Sequence, residues 1–396
     1  MPGERLRTGD AVAFLLLVQF FYAWAWNTGD LLRPAFRDGL NLTLAEVGSG
    51  YSAQVVGALL GAIALAQCEP LIGRRLAFAI VAAGGGAALL AGVAVDGWSS
   101  FVVQRFFVGV FGGAVFPLTI GVIVDLFASD RRGRLASLID GTYFGATALL
   151  GIAAGQIGSE HWRSLLWIGG LPPLLFAVLA FRFVPPAPPA PPEIAATGFE
   201  RLAVARLFTR QLRRRTIALT AMMGANACGY QAFSGWLATY LHDDLLLSDS
   251  AAGWVLACQF GGSIAGAFAW GWAVDRYGRR LGGLGLIFAG AAGALFLFAP
   301  PHVPLLGLAA ACFGVAFAAV VTLGPWIAEL YPPGLRAAAT SMFQWGRFIS
   351  LFAPLITAPL AARWGLGNAM LLGVAAFLVA GAIWSRLPET LSARTD

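Results

Sequence analysis

The chain has 396 residues, of which 58% are hydrophobic and 12% are charged, and its formal net charge is +6. This composition excludes an ordinary water-soluble globular protein, in which about 25% of the residues are charged. All 26 basic residues are arginines that cluster in alternate loops between apolar segments, so the positive charge indicates a membrane topology and no nucleic-acid partner.

Twelve apolar segments follow one another along the chain. A hydrocarbon core of about 30 Å requires roughly 20 helical residues to cross it. The sequence therefore predicts an all-α polytopic membrane protein with twelve transmembrane helices. The predicted spans are 11–33, 45–67, 76–96, 98–124, 135–157, 164–184, 215–240, 251–274, 281–300, 304–328, 337–361 and 366–386.

The first span has one polar and aromatic face. Gln19, Tyr22, Trp26 and Asp30 follow at spacings of three, four and four residues, which places them on one side of a helix. We expect this face to line water, with Tyr22 and Trp26 as candidate substrate contacts. The span is too long for the core of a signal peptide and is expected to remain in the protein.

Few ionisable residues fall inside the predicted spans, and each is a functional candidate because burying a charge in a bilayer is costly. Those with at least three span residues on either side are Asp30, Arg105, Asp140 and Arg347. A guanidinium matches the geometry of a carboxylate, so Arg105 and Arg347 are candidate anion ligands. We expect Asp30 to lie at the depth of Arg105 and to pair with it. The alternatives are a solvated Asp30 at a helix end and a fixed ion pair for Arg347.

Further candidate substrate contacts are expected near the level of these charges. Asn226 and Tyr230 lie on one face of the seventh span, Tyr143 lies on the fifth, and Gln344 and Trp345 precede Arg347 on the eleventh. Any of the aromatic rings could instead serve helix packing. Asp140 could carry a proton or pair with arginines near the cytoplasmic end of its span.

The middle of the chain separates two halves of similar length. Six of the eight residues 185–192 are prolines, and a basic, roughly amphipathic segment follows at 199–215, which we expect at the cytoplasmic surface. The predicted organisation is an N-terminal six-helix bundle (1–184), a linker (185–214) and a C-terminal six-helix bundle (215–396).

Two loops recur in both halves. Asp125 with Arg132 matches Glu329 with Arg336 at an offset of 204 residues. Glu69 followed by Gly73-Arg74-Arg75 is a weaker counterpart of the loop that contains Asp275 and Arg279. The repeat indicates that two six-helix bundles are related by duplication.

The loop that contains Asp275 reads Gly271-x-x-x-Asp275-Arg276-x-Gly278-Arg279-Arg280. This pattern resembles the loop signature of the major facilitator superfamily of secondary transporters. The resemblance implies two pseudo-symmetric bundles that alternate between inward and outward access. It also implies that Asp275 acts as a conformational latch, whereas the first copy departs from the pattern because Pro70 fills the acidic position. The implied gating residues are Glu69, Arg74, Asp125, Arg132, Asp275, Arg276, Arg279, Arg280, Glu329 and Arg336.

Two further motifs restrict the resemblance to one branch of this superfamily. Glu329-Leu330-Tyr331-Pro332 and Pro388-Glu389-Thr390 are similar to the branch of organic and aromatic acid:proton symporters and sialic-acid-type carriers. The resemblance implies import of a small organic anion, a carboxylate, by proton symport, with Asp30 and Asp140 as the proton-coupling candidates. The alternatives are an uncoupled or sugar-type facilitator, a drug/proton antiporter and a transporter-like membrane receptor.

No motif for catalysis or metal binding is present in the sequence, and the four cysteines lack metal-ligand spacing. We therefore expect no enzyme activity and no cofactor. We expect a monomer in the inner (plasma) membrane with both termini in the cytoplasm. The expected partners are the substrate, the proton and the lipid bilayer.

Overall fold

The computed structural model describes residues 8–126, 129–186, 207–332, 335, 339 and 342–390. Within these ranges the side chains at 66–68, 70, 124–125, 129–134, 136–137, 328 and 342–344 lie outside the description. The chain divides into two compact units, Met1–Ala190 and Pro191–Asp396. Most of the predicted linker, 187–206, falls outside the described residues.

The α-helices described in the first unit are α1 (Thr8–Leu31), α2 (Arg33–Gly39), α3 (Leu44–Ile72), α4 (Arg74–Ala91), α5 (Trp98–Leu126), α6 (Ser129–Ile157) and α7 (Trp162–Phe183). Those in the second unit are α8 (Arg213–Thr239), α9 (Asp249–Tyr277), α10 (Leu281–Phe298), α11 (Val303–Phe317), α12 (Leu323–Glu329), α13 (Met342–Ser350), α14 (Ala353–Trp364) and α15 (Leu366–Arg386). The protein is thus all-α, as the sequence predicts.

Eleven helices in the described part of the chain are long and apolar enough to cross a membrane. The seventh predicted span forms the 27-residue helix α8, which is not among the eleven. Three consecutive arginines begin α8, and Asn226 and Gln231 interrupt its apolar sequence. One predicted span is therefore a helix with a markedly polar composition.

Two predicted spans are interrupted helices. The tenth span consists of α11, a 3-10 turn at Ala318–Thr322 and α12, and the eleventh is divided at Leu351 and Phe352 between α13 and α14. Pro325 and Pro354 lie just after these interruptions. Because proline lacks an N–H group and clashes with the carbonyl four residues earlier, neither helix continues regularly through its proline.

Glycines allow α3 and α5 to pack backbone against backbone. A Cβ atom added at Gly109 would lie 2.0 Å from the carbonyl oxygen of Gln54, and one added at Gly57 would lie 2.1 Å from that of Phe106. Both distances are far below van der Waals contact, so only glycine fits at these positions. This contact is a principal interface of the first unit.

The second unit repeats the same contact between α9 and α11. A Cβ atom added at Gly314 would lie 1.9 Å from the carbonyl oxygen of Gln259, and one added at Gly262 would lie 2.3 Å from that of Ala311. Each of these residues follows its counterpart in the first unit by 205 positions. The internal repeat therefore extends to individual helix contacts.

Gly109→Ala is expected to lower the stability of the protein by about 1–3 kcal/mol, the usual cost of overpacking a close contact. The measurement is the midpoint of thermal unfolding of the purified protein in detergent. Gly145→Ala is the matched control, because a Cβ atom at Gly145 on α6 would meet no atom within 4 Å. A loss of stability in the control as large as that in Gly109→Ala would contradict the packing argument.

Candidate functional site

The first unit contains a buried ion pair at the junction of α1 and α2. Nη2 of Arg33 donates to Oδ1 of Asp30 at 2.6 Å, and the two side chains are 0% and 5% exposed. Asp30 lies in the last turn of α1, and Arg33 begins α2 three residues later. Because the chain resumes helical geometry almost at once, Arg33 can reach back to the carboxylate by one turn.

Arg105 on α5 is fully buried beside this pair, and neutral groups accept its hydrogen bonds. Nε donates to Oε1 of Gln104 at 2.7 Å, and Nη1 donates to Oγ1 of Thr28 at 3.0 Å and to Oε1 of Gln54 at 3.5 Å. Nη2 has no hydrogen-bond partner among the described residues. The site therefore holds a desolvated guanidinium with one donor group unused.

The expected pairing of Asp30 with Arg105 is replaced by the pair of Asp30 with Arg33. The structure shows no direct ion pair between Asp30 and Arg105 among its described residues, although the charge of Asp30 is close enough to act on the Arg105 guanidinium. Arg33 was not among the predicted site residues because it is the last residue of the first predicted span. Its signal was the spacing of three residues from Asp30.

Phenylalanine rings enclose the Arg105 guanidinium. Its central carbon lies 5.5 Å from the ring centre of Phe36 and 6.0 Å from that of Phe101. Such contacts between a cation and a ring face are attractive and exclude water. Electrostatic interactions with Arg105 are therefore stronger than they would be at a solvated surface.

Aromatic residues from two helices of the first unit meet near the middle of α1. The ring of Tyr22 lies 5.9 Å from Trp26 and 6.1 Å from Tyr143 between ring centres. Tyr22 and Trp26 also border an apolar cavity between α1, α4, α5 and α7. The structure thus brings three of the predicted substrate contacts together.

The predicted residues of the second unit lie on α8 and α13, which pack against each other. Gly224 on α8 contacts Ile349, and Gly346 approaches the backbone of Met223. Arg347 lies half-buried on α13 beside this contact. The side chain of Gln344 is outside the described residues.

The remaining predicted residues of the second unit do not form a single cluster. Asn226 is 7% exposed, and its Oδ1 atom has no hydrogen-bond partner in the described part of the protein. Tyr230 packs on Phe317, with ring centres 5.0 Å apart, whereas Trp345 stacks on Phe208 at 6.1 Å. The structure therefore places Trp345 in a stacked pair near the start of α8.

The internal repeat shows that the charged cluster is specific to the first unit. At the offset of 205 residues, Gly235, Ala238 and Ala310 stand where the first unit has Asp30, Arg33 and Arg105. The neighbouring Gln54 does have an equivalent, Gln259, which donates to Ser234 at 2.6 Å. Because the second unit folds without the three charges, the shared scaffold does not require them.

The two copies of the glycine-containing loop both form an acid–arginine contact. Nε of Arg74 donates to Glu69 at 2.6 Å in the first unit, and Arg279 donates to Asp275 in the second. The glycine of each loop has a positive φ, 86° at Gly73 and 119° at Gly278, which favours glycine. The shifted position of Glu69 therefore still allows the pair to form.

The loop of the second unit holds a larger network. Arg279 also donates to Glu329 at 3.0 Å, and Glu329 accepts from the Thr390 hydroxyl at 2.6 Å. Glu389 accepts from the backbone N–H groups of Arg279 and Arg280 at 2.8 and 3.0 Å. From the sequence, Glu389 is recognisable only as part of a motif, and this role was not predicted.

The same network changes the pKa of Arg279. Burial opposes the charged form of the guanidinium, but the attraction of Glu329 and Asp275 outweighs the effect of burial and raises the pKa.

Several predicted residues remain without a structural account. The side chains of Asp125 and Arg132, and the whole of Arg336, lie outside the described residues. Asp140 is half-buried on α6 and has no ion pair with any described side chain. Arg276 is exposed and lies over the ring of Tyr277 at 5.9 Å. The described residues contain no cluster of side chains suited to a metal ion.

Comparisons with known proteins agree with this architecture. The gallate transporter of Pseudomonas putida is 27% identical over 94% of this chain and 91% of that protein. The 4-hydroxybenzoate transporter PcaK of Acinetobacter baylyi is 24% identical over 92% of this chain and 87% of that protein. The inward-facing structure of a bacterial homologue of the human lysosomal transporter Spinster covers 97% of both chains with a TM-score of 0.78 and 14% identity.

The first two of these relatives are transporters of gallate and of 4-hydroxybenzoate. A transporter with many apolar helices is a multi-pass membrane protein, not an enzyme. The profile of the Major Facilitator Superfamily matches residues 15–245 and 219–395, which together cover nearly the whole chain. The chain therefore belongs to the major facilitator superfamily of membrane transporters.

Proposed function

We propose that this protein imports a small aromatic carboxylate by proton symport. The observation that carries the proposal is the buried Arg105, whose hydrogen bonds go to neutral groups and whose Nη2 donor is unused. A buried cation requires a compensating anion, and a carboxylate accepts from a guanidinium through two parallel hydrogen bonds. The similarity to gallate and 4-hydroxybenzoate transporters supports an aromatic acid as the substrate.

The aromatic cluster of Tyr22, Trp26 and Tyr143 suits the ring of such a substrate. Aromatic rings attract one another in tilted and offset arrangements with centres about 4.5–7 Å apart. The cluster belongs to the same unit as Arg105, and Gly112 on α5 packs against Tyr22. A carboxylate at Arg105 and a ring beside this cluster would use both features of the first unit.

Proton coupling is assigned to Asp30, with Asp140 as the second candidate. Protonation of Asp30 would remove the negative charge next to two buried arginines and so raise the affinity of the site for an anion. By linkage, a bound anion would raise the affinity of Asp30 for a proton to the same extent. Substrate and proton would thus be carried together.

Alternating access would require interactions that form in one state and break in the other. The networks around Asp275, Arg279 and Glu329 and around Glu69 and Arg74 are the candidates for this gating role, because they combine opposite charges at helix ends. The distribution of arginines among the loops supports a position on the cytoplasmic side of the inner membrane for these networks and for both termini. We propose a monomer as the functional unit.

Arg347→Ala is expected to reduce carboxylate uptake at least ~10-fold, because a charge-assisted hydrogen bond contributes about 1.5–3 kcal/mol. The measurement is uptake of labelled 4-hydroxybenzoate into proteoliposomes. Arg363→Ala on α14 is the control, because Arg363 is exposed. Uptake by Arg347→Ala at the wild-type rate would reject a role for Arg347 in substrate binding.

A thermal-shift screen tests the substrate class. Purified protein is heated with aromatic carboxylates, sugars and cationic drugs, and a bound ligand raises the unfolding midpoint by mass action. We expect stabilisation by aromatic carboxylates alone. Stabilisation by sugars would favour a facilitator of the sugar type, and stabilisation by cationic drugs would favour an antiporter. Binding without counterflow in proteoliposomes would indicate a receptor.

A further inference from the structure

Arg33 is one of the three buried charges of the cluster, and the proposed function gives it no role. We infer that Arg33 is a positioning residue, which neutralises Asp30 so that Arg105 stays available for the carboxylate of the substrate. The inference rests on the proposed function, because it takes Arg105 as a ligand of the substrate.

The charges of the cluster support this division of roles. Asp30 and Arg33 form a close pair at 2.6 Å and together contribute no net charge. Arg105 then carries the remaining positive charge, and its hydrogen bonds go to Gln104, Thr28 and Gln54, none of which is charged. With Asp30 ionised, the cluster as a whole therefore has one excess positive charge, which a monocarboxylate would cancel.

Without Arg33, the carboxylate of Asp30 would compete with the substrate for Arg105. Gly29, which precedes Asp30, lies against the guanidinium, because a Cβ atom added there would lie 3.2 Å from Nη1 of Arg105, and the charge of Asp30 itself acts on Arg105. A buried carboxylate that loses its partner turns to the nearest remaining cation, since an unpaired buried charge is strongly unfavourable. That cation is Arg105, and the cluster would become neutral without the substrate.

The other charged groups near Arg33 are at least partly exposed to solvent. Tyr51 on α3 interacts electrostatically with Arg33 and is buried. The remaining titratable groups on α2, at the start of α3 and in the turn before α7 reach solvent; they are Arg37, Asp38, Glu46, Glu160 and His161. Arg37 pairs with the adjacent Asp38 at 2.7 Å. It is the matched control for Arg33, because it lies four residues further along the same short helix.

The repeat adds an independent argument. Ala238 occupies the position of Arg33 in the second unit, where Gly235 and Ala310 replace Asp30 and Arg105. The three charges are thus present together in one unit, and the other unit has none of them. This pattern suits an arginine that serves the other two charges, and it argues against a role for Arg33 in the shared scaffold.

The test is a double-mutant cycle between Asp30 and Arg33, read as binding of labelled 4-hydroxybenzoate to the purified full-length protein at ~pH 8, far above the ordinary carboxyl pKa of about 4. Arg33→Gln should weaken binding at least ~10-fold, because Asp30 then occupies Arg105. Arg37→Gln should change it by less than ~2-fold, because Arg37 is partly exposed and pairs with the exposed Asp38. Arg33→Lys, which keeps the positive charge, should retain most of the binding.

The decisive variant is the double replacement Asp30→Asn with Arg33→Gln. It leaves no carboxylate to neutralise, so it should bind less than ~10-fold more weakly than Asp30→Asn alone, a difference that reflects only the lost positive charge of Arg33. A double variant that binds at least ~10-fold more weakly than Asp30→Asn would show that Arg33 acts on the substrate itself, and would overturn the inference. This comparison remains valid even if Arg33→Gln alone does not fold. Wild-type affinity in a folded Arg33→Gln variant would also overturn it.

The same assay separates this inference from the proposed function. If the wild-type protein does not bind the carboxylate, or if Arg105→Gln binds it as tightly as the wild type, the proposed function fails. If Arg105→Gln loses binding while Arg33→Gln keeps it, the proposed function stands and only the role of Arg33 is rejected.

Discussion

Replacement of Arg105 by glutamine should reduce carboxylate uptake by at least ~30-fold, which corresponds to the roughly 2 kcal/mol lost when one member of a buried charge pair is truncated. Glutamine retains donors for hydrogen bonds but not the positive charge or the planar fork of the guanidinium. The measurement is the initial rate of 4-hydroxybenzoate uptake into proteoliposomes that contain equal amounts of folded protein.

The control for this prediction is Arg182→Gln. Arg182 lies on α7 in the same unit and is exposed, so its replacement removes one positive charge without affecting the buried cluster. Arg105→Lys restores the charge without the fork, and we expect an intermediate rate. Equal uptake by wild type and Arg105→Gln would mean that the buried guanidinium is structural.

Asp30→Asn should separate proton-driven accumulation from exchange. Asparagine has the size of aspartate and can accept a hydrogen bond from Arg33, but it cannot bind and release a proton. We therefore expect accumulation driven by a pH gradient to fall to the level of empty vesicles. Exchange of labelled for unlabelled substrate needs no net proton movement and should continue.

Both activities of Asp30→Asn can be measured in the same proteoliposome preparation. The corresponding control is Asp38→Asn, because Asp38 is exposed and pairs with Arg37 at the surface of α2. Loss of exchange to the same extent as loss of accumulation would count against a proton-coupling role for Asp30. Retention of both activities would show that Asp30 does not carry the coupled proton, and would leave Asp140 as the remaining candidate.

The sequence predicted the positions of the helices closely because an apolar segment of about 20 residues has few alternatives to a membrane helix. It missed the interruption at Leu351 and Phe352, since that depends on how Pro354 fits the preceding turn of the chain. It also did not anticipate how polar α8 is relative to the other long helices. In both cases hydropathy alone was insufficient.

The candidate site was only partly predictable. Helical periodicity placed Tyr22, Trp26 and Asp30 on one face of α1, but periodicity within a helix does not identify the partners on other helices. The pair of Asp30 with Arg33 depends on the short helix α2, which was not predicted as a separate helix. Contacts such as Trp345 on Phe208 likewise depend on tertiary packing.

The most direct test of a proton-coupled aromatic-acid carrier is uptake of labelled 4-hydroxybenzoate into proteoliposomes under an imposed pH gradient. We predict that an acidic exterior drives accumulation above the external concentration, and that a proton ionophore abolishes this accumulation. Equilibration of the substrate that does not respond to the gradient, or no uptake above that of empty liposomes, would contradict the account.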